Sequence, residues 1–108
     1  MEQDHPLLRE MFPELVAELA DLLEAEGERE LALTVRDVRL FGLCECGDEF
    51  CQSVRTADHP PGQPFGQGHR CVPLLPAKGM LALDVVHERI MYIEILDRPL
   101  MIRRDARM

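Results

Sequence analysis

Three cysteines fall within eight residues, Cys44-Glu45-Cys46-Gly47-Asp48-Glu49-Phe50-Cys51, and a fourth stands apart at Cys71. Thiols this close together can bind a soft metal, form a disulfide or oxidise, so this segment is where the chain points to chemistry. If Cys46 and Cys51 bracket the turn Gly47-Asp48-Glu49-Phe50, strand alternation sets Cys44, Cys46, Cys51 and Ser53 on one face at the same end of a hairpin. Three sulfurs converging in this way would supply three ligands of a tetrahedral zinc ion, each at about 2.3 Å. Cys71 is the simplest fourth ligand because it completes an all-cysteine set. His69 is the alternative, and His59 and Asp48 are further candidates.

The spacing departs from the paired C-x-x-C of most structural zinc sites, and a C-x-C pair can share one ion only if the strand distorts locally. Two other readings stay open. The cysteines could be small apolar core residues, or a Cys46–Cys51 or Cys44–Cys51 disulfide could act as a redox switch. A nucleophilic thiol is disfavoured, because Glu45, Asp48 and Glu49 surround the cluster with negative charge that raises thiol pKa values.

Little else reads as catalytic. His5 and His87 are simplest as exposed polar residues, while His59 and His69 flank a Pro/Gly-rich loop whose ends could bring them together. No serine, histidine and carboxylate stand at a recognisable spacing, and Gly62, Gly66 and Gly68 lack the lysine and strand–turn–helix context of a phosphate loop. The expectation is a non-enzymatic protein.

The run Cys44-x-Cys46-Gly47-Asp48-x-Phe50-Cys51, followed by Ser53, Thr56-Ala57, a loop ending Gly68-His69-Arg70 and a hairpin closing on Ile93-Glu94-Ile95-Leu96, resembles a group of small bacterial proteins with no assigned activity. The resemblance runs from the helix before Gly27 to the last hairpin, with Cys71 peripheral to it. It implies a stand-alone bacterial domain.

These residues have to be positioned by a short chain. At 108 residues with 46% hydrophobic content, one domain with one core is expected: a helical part over 1–35, a β part over 36–97 and a basic tail over 98–108. From Phe12 to Glu26, Leu15, Val16, Leu19, Leu22 and Leu23 recur at helical spacing, with Pro13 suited to the first turn and Gly27 to the terminating residue. A second short helix is expected over Glu28–Val35. Strands are expected near Val38–Cys44, Cys51–Ala57, Arg70–Leu75, Met80–Val86 and Ile90–Leu96. The fold class is therefore α+β, an amphipathic N-terminal helix packed on an antiparallel sheet of about five strands.

Register can be argued for the last hairpin. A two-residue turn at His87-Glu88 would set Leu83 opposite Tyr92 and Leu81 opposite Glu94, mixing apolar and polar groups on both faces. An odd loop, His87-Glu88-Arg89, pairs Leu81, Leu83 and Val85 with Ile95, Ile93 and Met91 instead. The odd register is expected, because burial of one face dictates pairing.

Charge is concentrated at one end. The net charge is −8, and residues 1–30 hold ten acidic side chains against Arg9 and Arg29, so the remainder is neutral. This balance disfavours nucleic acid and anionic lipid. Glu14, Glu18, Asp21 and Glu24 could form either a solvated helix face or a docking patch for a basic partner. The arginines after Asp97 are expected to pair with that acidic helix. With no membrane-length apolar run and no basic, apolar leader, a cytoplasmic location is expected, where thiols stay mostly reduced. Self-association through a sheet edge or the last hairpin is left open by the sequence.

Overall fold

The structure, a computed structural model, describes residues 5–43, 51–59 and 63–99. Helices α1 (Leu8–Met11), α2 (Pro13–Ala25) and α3 (Arg29–Thr34) lead into a 3-10 turn at Val35–Asp37. Five strands follow: β1 (Gly42–Leu43), β2 (Val54–Arg55), β3 (His69–Pro73), β4 (Met80–Val86) and β5 (Arg89–Leu96). They form one antiparallel sheet in the order β1-β2-β5-β4-β3. The α+β class and the five-stranded sheet agree with expectation.

Pro13 shapes the first helical stretch. Its ring disfavours helical dihedrals at the preceding residue, and Phe12 accordingly sits at φ −136°, ψ 71°. The stretch is thereby divided into the single turn α1, which sequence reading missed, and the longer α2. Leu15, Val16, Leu19, Ala20 and Leu23 of α2 are buried, close to the expected stripe, while Leu22 is only partly covered. Gly27 takes φ +81°, with Gly27 N–H bonded to Glu24 O and Glu28 N–H bonded to Leu23 O. These are the two bonds of a Schellman cap, and they place Glu28 at the mouth of α3.

The expected first strand, Val38–Cys44, is split. Leu8 N–H bonds Val38 O and Leu40 N–H bonds Pro6 O, so Val38–Leu40 pairs with the N-terminal segment and only Gly42–Leu43 joins the sheet. Cys44 lies outside the described residues. Strand β2 is shorter than the expected Cys51–Ala57, but flanking groups extend its seam with β5. Ser53 Oγ accepts Ile95 N–H at 2.9 Å, and Thr56 Oγ1 donates to Ile90 O at 2.7 Å. Both residues are buried, and their hydroxyls take the place of ladder bonds.

The last hairpin reconciles both registers considered for it. The turn is the two-residue His87-Glu88, with φ +51° and +66°, which sets Val86 opposite Arg89 and Val85 opposite Ile90. A bulge between Asp84 and Val85 then leaves Met91 as the extra residue. Beyond it, Leu83 faces Ile93 and Leu81 faces Ile95, the odd register. The expected Val85–Met91 pair is corrected to Val85–Ile90. Burial explains the bulge, since Ile90, Ile93 and Ile95 all reach the core only if one residue is inserted between the first two.

Helices and sheet share one core, with Leu8, Leu19, Leu23, Leu31 and Val35 on one side and Val54, Leu81, Leu83, Val85, Ile93 and Ile95 on the other. Two arginines tie the layers at the rim. Arg70 of β3 grips Glu28 through Nη1 and Nη2 at 2.9 and 3.0 Å, and also contacts Glu88 in the β4–β5 turn. Arg98, after β5, pairs with Glu18 of α2 and donates to Lys78 O at 3.0 Å. Gly79, at φ +71°, lets this segment approach, because a Cβ there would meet Asp97 O at 2.6 Å and Leu96 O at 2.7 Å.

Candidate functional site

The helices cover one face of the sheet. On the opposite face, one row of directly paired residues crosses all five strands: Cys71, Asp84, Tyr92, Arg55 and Gly42. His69 stands two residues from Cys71 on the same side of β3, and its Nε2 lies 2.9 Å from Asp84 Oδ1. Gly42 has no side chain, so the Arg55 guanidinium lies across β1, where a Cβ would be 2.2 Å from Nη2.

Cys71, His69 and Asp84 include the residue types of a thiol catalytic dyad with an orienting acid, but the electrostatics run the other way. Desolvation against the sheet raises the Cys71 pKa, and the negative charges of Asp84 and Glu94 raise it further. The thiol is therefore held protonated, whereas thiol nucleophiles need a cationic or dipolar neighbour that favours the thiolate.

The Pro/Gly-rich loop brings its histidines together, though not to one another. Phe65 lies between them, with ring centroids 4.6 Å from His59 and 4.9 Å from His69. His59 Nε2 is 3.0 Å from Gln63 O. His59 stacks on the phenyl ring and His69 meets it at a tilt, so Phe65 links both ends of the loop. Phe65 gave no sequence-level signal of this role beyond its place between the two.

Cys44 and Cys46 lie outside the described residues, as does Asp48. Cys51 is half-buried, opposite Leu96 at the end of β5, with its Sγ 3.5 Å from Ser53 Oγ. Cys71 is exposed on β3, at the far edge of the sheet. Strands β5 and β4 intervene, which puts the two cysteines on the order of 14 Å apart across the sheet alone. One ion with sulfur at about 2.3 Å cannot bridge that gap. Neither Cys71 nor its strand neighbour His69 is thus brought to Cys51 as a fourth ligand. Among the described residues, no group of three histidines, cysteines or carboxylates could hold a metal.

Strands β1 and β2 pair up to Leu43 and Val54, and the Cys44–Phe50 segment of the expected hairpin lies outside the described residues. Gly42 pairs with Arg55 and Leu43 with Val54, the same alignment that sets Cys44 against Ser53 and Cys46 against Cys51 in the sequence argument.

On α2, Glu14, Asp21 and Glu24 are exposed, on the side opposite the buried leucines. None of the three has an ion-pair partner among the described residues. Glu18, in their midst, is taken by Arg98. A cleft of about 400 Å³, not anticipated from the sequence, opens between the 3-10 turn, the segment through Phe41 and the β4–β5 turn. No helix among the described residues is long and apolar enough to cross a membrane.

Comparison with protein-family models, with curated proteins and with solved structures returned no match.

Proposed function

We propose that this protein is a small, cytoplasmic, non-catalytic interaction module of a bacterial cell, which presents the outer face of α2 to a basic protein partner. The observation that carries the reading is the division of labour among the acidic side chains. Glu18 and Glu28 are paired internally with Arg98 and Arg70, whereas Glu14, Asp21 and Glu24 are exposed along one helix with no ion-pair partner among the described residues. A rigid surface with fixed like charges steers and orients a complementary partner. The test is capture of basic proteins from lysate by the wild type and by the combined variant Glu14→Gln, Asp21→Asn, Glu24→Gln, which leaves Glu18 and the fold alone. Loss of a salt-sensitive partner is the expected result; capture of the same proteins by both would remove the idea.

The register of β1 and β2 favours a second reading, a metal-binding or redox-sensing hairpin built on Cys44, Cys46 and Cys51. Native mass spectrometry, set against the denatured non-reducing mass, separates the cases. One added zinc supports the metal site, and loss of two protons supports a disulfide. A metal-free, fully reduced mass counts against both.

A further inference from the structure

The cleft beside the β4–β5 turn is lined by the apolar Val38, Phe41 and Ile90 and by four charged residues, Asp37, Glu88, Arg39 and Arg89. Their formal charges cancel, but their pairings do not. Asp37 is bonded to Arg9 at 3.1 Å, and both carboxylate oxygens of Glu88 are engaged by Arg70. Neither Arg9 nor Arg70 lines the cleft. Arg39 donates to a neutral acceptor, His5 O, at 2.7 Å, and Arg89 has no side-chain hydrogen bond or ion pair among the described residues. Asp37 is thus matched by Arg9 and Glu88 shares Arg70 with Glu28, whereas Arg39 and Arg89 have no carboxylate partner among the described residues.

We propose that this cleft binds a small organic oxyanion, a carboxylate or phosphate monoester carried on a compact apolar body. Arg39 and Arg89 hold the oxyanion, since the planar guanidinium fork matches both headgroups. Phe41 and Ile90 take the apolar body, and the volume lies within the range of small-molecule sites. The overall charge of −8 opposes an extended polyanion, while a single small anion meets only the local field of the two arginines.

The test is titration of isotopically labelled protein with benzoate, phenyl phosphate and inorganic phosphate, followed through backbone amide resonances. Saturable shifts confined to the amides around Arg39, Phe41, Arg89 and Ile90 are expected for one or both organic anions, with the stronger of the two identifying the headgroup. Arg89→Ala, which removes no side-chain hydrogen bond or ion pair among the described residues, and Arg39→Gln should each weaken binding roughly tenfold or more. Three results would overturn the proposal: no saturable shift with either organic anion, shifts that survive both substitutions, or inorganic phosphate binding as well as phenyl phosphate.

Discussion

Replacing Arg70 with methionine removes the charges that join β3 to the start of α3 while keeping the aliphatic stem. The Glu28 pair is bidentate, and the Glu28 side chain is 27% exposed, so it should contribute about 1 kcal/mol. The Glu88 side chain is 54% exposed and adds only a few tenths of a kcal/mol, so the whole substitution should cost about 1–1.5 kcal/mol. In a domain of this size each kcal/mol lowers Tm by about 4–8 °C. The cost depends on pH in a definite direction. Hydrogen bonds from Arg70 lower the Glu28 pKa, its Coulombic attraction adds to this, and desolvation opposes it. A depressed carboxylate pKa means stability that is fully present above the unfolded value and lost as pH falls through the folded one. Urea unfolding of wild type and Arg70→Met across a series from neutral to acidic pH should show a full gap at neutrality that closes in acid. Adding Glu28→Gln to each should give a coupling energy of about 1 kcal/mol at neutral pH. Equal midpoints at neutrality, or a gap that persists in acid, would refute the clamp.

Gly79→Ala forces an L-residue to φ +71° and drives a methyl group against two backbone carbonyls, so a loss of about 2–4 kcal/mol is expected in denaturant unfolding; a loss under about 1 kcal/mol would show that the Asp97 segment yields easily. Ser53→Ala leaves the Ile95 N–H without its acceptor inside the sheet and should cost about 1–3 kcal/mol, with faster hydrogen exchange at Ile95 as the local signature; unchanged exchange there would contradict the hydroxyl's role. Asp84→Asn removes one of the charges that hold the Cys71 thiol protonated, so the pH profile of Cys71 alkylation should move to lower pH. A profile that stays in place would leave desolvation and Glu94 as the causes.

Much of the frame was legible in local pattern. The leucine period of α2, Pro13 and Gly27 mark the helix and its ends, because each acts within a turn of itself. The odd register of β4 and β5 follows from which residues need burial, but the device that achieves it does not. Sequence alternatives treated the two-residue turn and the odd pairing as exclusive, and the bulge at Met91 permits both. Strand order is the deeper gap. That Cys71 stands far from Cys51 depends on Val54 pairing with Ile93, a contact no local pattern announces. The arginine clamps are illegible for the same reason: Arg70 and Glu28 are 42 positions apart, and Arg98 and Glu18 are 80 apart. The cleft is a further step removed, since its charge emerges only once those pairings are known.

The place of β5 bears on how the chain folds. It is the last of the five strands in chain order, yet it occupies the middle of the sheet, bonded to β4 on one side and β2 on the other. The hairpin of β4 and β5 closes over a two-residue turn and can form early, whereas docking β2 requires closure across nearly forty residues. Capture of β2 by a preformed hairpin is then the expected rate-limiting event. Truncating Ile93, the residue opposite Val54, should slow folding more than it speeds unfolding.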